Sequence, residues 1–130
     1  MKKVFLGGTC NGSLWRNDLI KLLTIDYFNP CKDEWTEEMM KEEIKQRSEC
    51  DFCLYVITPK MTGFYSIAEL VDDSNKRPVK TIFCYLSTDE DSKFSDFQIK
   101  SLLQVGKMIR ENGAHFFATL EEVSSFLNTH

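Results

Sequence analysis

The chain has 130 residues, a length suited to one domain. Its 42% hydrophobic content and ten phenylalanines can fill a core, and a net charge of −4 speaks against a nucleic-acid backbone binder, which needs a clustered basic face. No apolar run is long enough to span a bilayer, and "MKKVFLGG" has too short an apolar stretch for a signal peptide, so a cytoplasmic setting is expected, with neither nucleic acid nor membrane as a partner.

In chain order, "KVFLGG" reads as a short buried strand that ends in glycines, and "TCNGS" as a loop. "LWRNDLIKLLT" is amphipathic, with Leu14, Leu19, Ile20, Leu22 and Leu23 apolar and Ser13 as its N-cap. "IDYFNP" is a second short strand, stopped by Pro30, and "CKDEW" is loop. Thr36 caps the helix "EEMMKEEIKQRSE", which carries acids in its first turn. "DFCLYVIT" is the strongest strand, apolar and β-branched or aromatic at most positions. After the loop "PKMTG" comes a helix from "FYSIAEL", with an apolar stripe of Phe64, Ile67, Ala68 and Val71, and "NKRP" breaks it. "VKTIFCYL" is a buried strand and "STDEDSKFSD" an acidic loop. "FQIKSLLQVGKMIREN" is a long helix ended by Gly113, followed by the strand "AHFFAT" and the helix "LEEVSSFLN".

Strands of near-continuous apolar character alternating with helices predict a parallel sheet covered on both faces. Five strands with right-handed crossovers predict a single-domain, doubly wound, flavodoxin-like α/β fold, strand order 2-1-3-4-5. Ligands in such sheets sit beyond the carboxyl ends of the strands, where the strand order reverses. The loops that meet there are "GGTCNGS" and "TPKMTGFYS".

Several chemistries fit poorly. The five cysteines, Cys10, Cys31, Cys50, Cys53 and Cys84, are an odd number with no signal peptide, so free thiols are expected. "CDFC" stands at the start of a strand, the reverse of a redox motif, and no second pair makes a zinc set, so neither a metal nor another cofactor is expected. "GGTCNG" reads either as a phosphate-binding turn or as a tight turn after a strand; it has neither the Walker nor the dinucleotide spacing. His115 beside two phenylalanines and His130 at the terminus read as packed or surface histidines.

Carboxylates remain. On a helical projection Glu43 shares a side with Met39, Met40 and Cys50, while Glu37, Glu38, Glu42 and Glu49 point elsewhere. Two explanations fit: an i,i+4 ion pair with Arg47, or a buried carboxylate directed into the crevice with a raised pKa. Glu69 falls on the polar face of its helix with Tyr65, Ser66, Asp72 and Asp73, and that face begins at the crevice.

Taken together, "VFLGGTC", "WR" at 15–16, "FNP" at 28–30, "CDFCLYVITP" at 50–59 and "GFYSIAEL" at 63–70 resemble the nucleoside 2-deoxyribosyltransferase-like family in order and spacing. The resemblance implies an enzyme that cleaves an N-glycosidic bond of a nucleoside or nucleotide, by 2-deoxyribosyl transfer or by hydrolysis. Glu69 would be the nucleophile that forms a covalent glycosyl-enzyme, and Glu43, eight residues before Asp51, the partner acid. Gly7, Gly8, Thr9, Trp15, Asn29, Tyr65 and Ser66 would bind substrate, Asp51 would be structural, and a homodimer or higher homo-oligomer is implied. The chain departs from the family in several places: Gly63 stands where many members carry an aspartate, glutamate replaces aspartate at 43, Glu-Leu-Val at 69–71 replaces Glu-Leu-Gly, and "SSFLNTH" does not match the family's C-terminal contacts. "YSIAEL" also resembles the Ser…Glu-Leu helix of NAD-cleaving TIR-type domains, and the same pocket would suit a non-catalytic nucleotide sensor or sponge.

Overall fold

The computed structural model describes residues 1–31 and 36–130. Apart from Cys31, the loop expected over 31–35 lies outside them. The elements are β1 (Lys3–Gly8), α1 (Trp15–Ile20), β2 (Asp26–Phe28), α2 (Glu37–Glu49), β3 (Phe52–Ile57), α3 (Tyr65–Lys76), β4 (Thr81–Tyr85), β5 (Thr88–Asp89), β6 (Ser92–Lys93), α4 (Asp96–Glu111), β7 (His115–Phe117) and α5 (Leu120–Thr129). The main sheet is parallel throughout and runs β2-β1-β3-β4-β7, which is the expected flavodoxin-like order.

Alternation along the strands sorts the core into two layers. Val4, Leu6, Leu54, Val56, Ile82 and Cys84 pack on one face against Trp15 and Leu19 of α1 and Val123 and Leu127 of α5. Phe5, Cys53, Tyr55, Ile57 and Phe83 pack on the other against Leu70 of α3 and Leu102 and Ile109 of α4. β3 is buried at all six positions because it is the central strand with helices on both sides. Asp51 is structural, as expected: its carboxylate accepts the Lys3 backbone N–H at 2.8 Å and aligns the starts of β1 and β3. All five cysteines are free thiols, and Cys50 and Cys53 are buried core residues. Among the described residues no helix is long and apolar enough to cross a membrane.

Local polar chemistry sets the helix starts. Thr36 accepts the Met39 N–H at 3.1 Å, Thr119 accepts that of Glu122, and Ser95 with Gln98 forms a full capping box. Four local expectations are corrected. α1 ends at Ile20 rather than running on to Thr24, because Asn128 of α5 takes up the Leu22 carbonyl and the Thr24 N–H. Ser13 does not cap α1; its hydroxyl donates to Asp89 at 2.5 Å, and Leu14 holds the cap position without a side-chain bond. The acidic loop contains a hairpin, β5–β6, drawn toward the β3–α3 loop by Lys60, which reaches Asp89 and Glu90. On α3, Phe64 and Ala68 are exposed, and the helix instead turns Glu69, Leu70, Asp73 and Ser74 inward.

The end of β1 is shaped by close backbone approach. Gly8 has φ +115°, and a Cβ there would sit 2.0 Å from the Val56 carbonyl oxygen. Gly8→Ala therefore combines a disfavoured backbone with a main-chain clash, and is expected to lose at least about 2 kcal/mol of stability in urea unfolding. A loss smaller than about 0.5 kcal/mol would show that the strand ends move apart freely.

Candidate active site

A cleft of about 330 Å³ opens where the strand order reverses, between β1 and β3. Gly7 and Gly8 at the end of β1 form one wall, Arg16 of α1 another, and Glu43 of α2 faces Ser66 and Glu69 of α3 across the rest. A recess of about 300 Å³ adjoins it, shares Gly8, Cys10, Tyr65 and Ser66, and runs on to Asn11, Thr62 and Gly63. A larger hollow of about 640 Å³ lies beyond β4 and β7, walled by Phe116, Phe117 and Thr119, away from the order reversal and from both predicted carboxylates.

Glu69 is only 9% exposed although it lies on the polar side of its helix. Burial, then the nearby charge of Glu43, pushes its pKa up from 4.5 to about 7, against the pull of Arg47 and with a further push from Asp73. Burial likewise raises Glu43, with Arg47 opposing. Glu43 has no hydrogen bond or ion pair among the described residues, so of the two explanations open for it the i,i+4 pair with Arg47 does not form. Arg47 instead leaves its own helix. It binds Asp73 through Nε at 3.1 Å and a terminal nitrogen at 3.0 Å, meets Asp72 at 2.9 Å, and comes to 3.7 Å from the Glu69 carboxylate.

Asp73, one turn beyond Glu69, is fully buried and also accepts Arg77 at 2.9 Å and the Tyr55 hydroxyl at 2.5 Å. Burial opposes the charge on Arg47, but the Asp73 hydrogen bond and the surrounding anions outweigh it and hold the guanidinium charged. The same burial, with the Asp73 charge, keeps the Tyr55 phenol protonated. This network fastens α2, which buries no residue of its own, to α3. It therefore sets where Glu43 stands relative to Glu69.

Of the residues expected at the site, Glu69, Glu43, Gly7, Gly8, Tyr65 and Ser66 converge on the cleft. Thr9 borders the adjoining recess; its hydroxyl accepts the Thr58 N–H at 2.9 Å and its carbonyl takes donors from Trp15 and Arg16. Trp15 is a core residue that reaches the site indirectly, through that carbonyl and through its ring beneath Arg16. Asn29 accepts the Cys31 N–H at 2.9 Å in a local turn and lines neither space. His115 starts β7, at the opposite end of the sheet, with its ring against Phe126.

Two cations near the carboxylates, Arg16 and Arg47, were not among the residues expected at the site. Arg16 follows Trp15 on a buried helix face, and a cation three residues before the buried Leu19 is the signal that marks it. Arg47 was read as a partner of its own helix because spacing along one helix says nothing of a neighbouring helix.

The fold and the cleft define a doubly wound α/β domain with two facing carboxylates at the switch point. The chain belongs to the nucleoside 2-deoxyribosyltransferase-like family, whose pattern it matches over residues 1–88. That places it coarsely among glycosyl-transfer-type enzymes and suggests a nucleoside-related substrate. Among curated proteins no relative matches the chain.

Proposed function

We propose that the protein cleaves the N-glycosidic bond of a nucleoside or nucleotide, with Glu69 as nucleophile and Glu43 as the acid that serves the leaving base. The observation that carries this reading is the pair itself: two carboxylates from different helices face one cleft, buried enough to raise both and close enough for Glu43 to act on Glu69. The ionised Glu69 oxygen attacks the anomeric carbon as the bond to the base breaks. Glu43 gives its proton to the departing base nitrogen, and the glycosyl ester on Glu69 is then resolved by water or by a second base, whose proton returns to Glu43.

Such a pair works with one proton between its two carboxyl groups. Above about pH 7 the last proton leaves, the acid is lost, and repulsion between two ionised groups is at its greatest. A bell-shaped rate profile follows, with its alkaline limb near pH 7. Glu43→Gln removes the proton donor and also the charge that raises Glu69, so the rate is expected to fall about 100-fold and the alkaline limb to disappear. The measurement is base released from a panel of nucleosides, 5′-monophosphates and NAD, followed by chromatography between pH 5 and 9. A rate that climbs steadily to pH 9, or no release from any member, would overturn the assignment. Release confined to NAD would favour the TIR-type chemistry, and ligand recovered unchanged a sensor or sponge.

A further inference from the structure

Arg16 is a second charged centre in the same cleft, and the two-carboxylate chemistry leaves it without a role. It is 5% exposed, and among the described residues no carboxylate lies within ion-pair distance of it. Backbone carbonyls hold it instead: Leu6 at 3.0 Å, Thr9 at 2.6 Å and Gly8 at 3.3 Å, all at the end of β1. The guanidinium lies over the Trp15 ring at 4.4 Å. The Cys10 thiol also meets it, with Cys31 nearby, but burial pushes the Cys10 thiol up to about 11 and keeps it neutral. A buried cation held by carbonyls and a neutral thiol keeps its charge uncompensated, which is costly unless something of opposite sign comes to it. A guanidinium also carries more N–H donors than these three contacts use.

The cleft is bipolar. Glu69 is acted on by Glu43, Arg47 and Asp73, and Glu43 by Arg47; Arg16 is not among the charges that shift either. The cation is therefore not spent on the carboxylates. A rigid guanidinium fork is suited to the oxygens of a phosphate. The carboxylates face the centre that becomes positive as the glycosidic bond breaks, which leaves the Arg16 side for a negative group of the same ligand.

Resting on the catalytic reading above, we propose that Arg16 binds the phosphate of the ligand, so that this cleft takes nucleotides in preference to nucleosides. The guanidinium is fixed in advance by Leu6, Gly8, Thr9 and Trp15, so binding a phosphate orders no additional side chain.

The test uses 2-deoxyribose 5-phosphate, 2-deoxyribose and inorganic phosphate as probes in titration calorimetry on the intact protein. The sugar phosphate is expected to bind at least tenfold more tightly than either of the other two, and Arg16→Lys to remove most of that advantage. Comparable binding of sugar and sugar phosphate overturns the proposal, as does an advantage that survives in Arg16→Lys. Inorganic phosphate binding as tightly as the sugar phosphate would show an isolated anion site and also overturns it. Should the variant fail to fold, the Arg16 Nε–H resonance of the wild-type protein decides: it shifts on adding the sugar phosphate if the assignment is right and stays put if it is wrong. In turnover, a wild-type preference for 5′-monophosphates over nucleosides that Arg16→Lys loses supports the proposal. An equal loss on both substrates would put Arg16 on the base and overturn it. Sugar-phosphate binding through Arg16 with no base released from any substrate would uphold this inference and sink the catalytic one.

Discussion

Glu69→Gln is expected to abolish base release, by at least about 1,000-fold, and at the same time to make the protein more stable at pH 8. The first effect follows from the loss of the attacking oxygen: an amide cannot form the glycosyl ester. The second follows from the environment that tunes the nucleophile. A carboxyl whose folded pKa, here about 7, lies above its unfolded value of 4.5 binds its proton more tightly in the fold. As pH rises through that window the unfolded chain has lost its proton while the fold retains it, so stability falls from pH 4.5 to about 7 and stays lower above it. The penalty at pH 8 is up to about 3 kcal/mol, and glutamine, which does not ionise, is free of it. Thermal unfolding of both proteins at pH 5 and pH 8 reads this directly. The variant is expected to melt several degrees higher at pH 8, with the difference shrinking toward pH 5. Equal melting temperatures at pH 8 would mean that Glu69 is solvated after all. A stability gain on removing a carboxylate is also what a site kept for chemistry, at some cost to the fold, should show.

Asp73→Asn is the substitution expected to harm the fold most. Asp73 is fully buried and takes hydrogen bonds from Arg47, Arg77 and Tyr55. Asparagine keeps the shape but removes the charge, and its amide N–H₂ meets donors. Two guanidinium groups then face each other without the anion between them. Breaking a buried ion pair from one side costs about 3–5 kcal/mol, and a loss of that size in urea unfolding is expected. Because α2 buries no residue of its own, the loss should be local as well as global. Amide hydrogen exchange in α2 is expected to rise more than in α4 or α5, and the acid contributed by Glu43 to fail with it. Uniform protection across the helices in a folded Asp73→Asn protein would show that α2 is held by something other than this network.

The sheet order was legible because it depends on local chemistry repeated along the chain. Continuous apolar strands such as 52–57 alternate with capped helices, and a parallel sheet with right-handed crossovers has few ways to arrange them. Thr36 as a cap and Gly113 after α4 were visible for the same reason, since each acts within a few residues. Errors fell where a distant partner intervened. Ser13 was read as a cap, but Asp89 takes its hydroxyl; α1 stops early because Asn128 reaches over from the last helix. The apolar stripe assigned to α3 held only in part: Ile67 packs on the core, but Phe64 and Ala68 are exposed, because the polar network around Asp73 helps decide which way that helix faces.

The candidate site divides along the same line. Sequence alone determined that Glu69 lies in the first two turns of the helix after the central strand and that Glu43 differs from its acidic neighbours, because helical spacing and family-like motifs are both written along the chain. It also placed Gly8 at the crevice, with a phosphate-binding turn and a tight turn both open; the structure adds a close approach to the Val56 backbone that requires glycine there. Only the tertiary structure decided that the two carboxylates meet across one cleft, that Arg47 binds α3 rather than Glu43, and that Arg16 lies buried in the same space with no carboxylate partner among the described residues. These are properties of charges brought together from separate elements. Their energies depend on distance and burial, and neither is encoded by spacing along the chain.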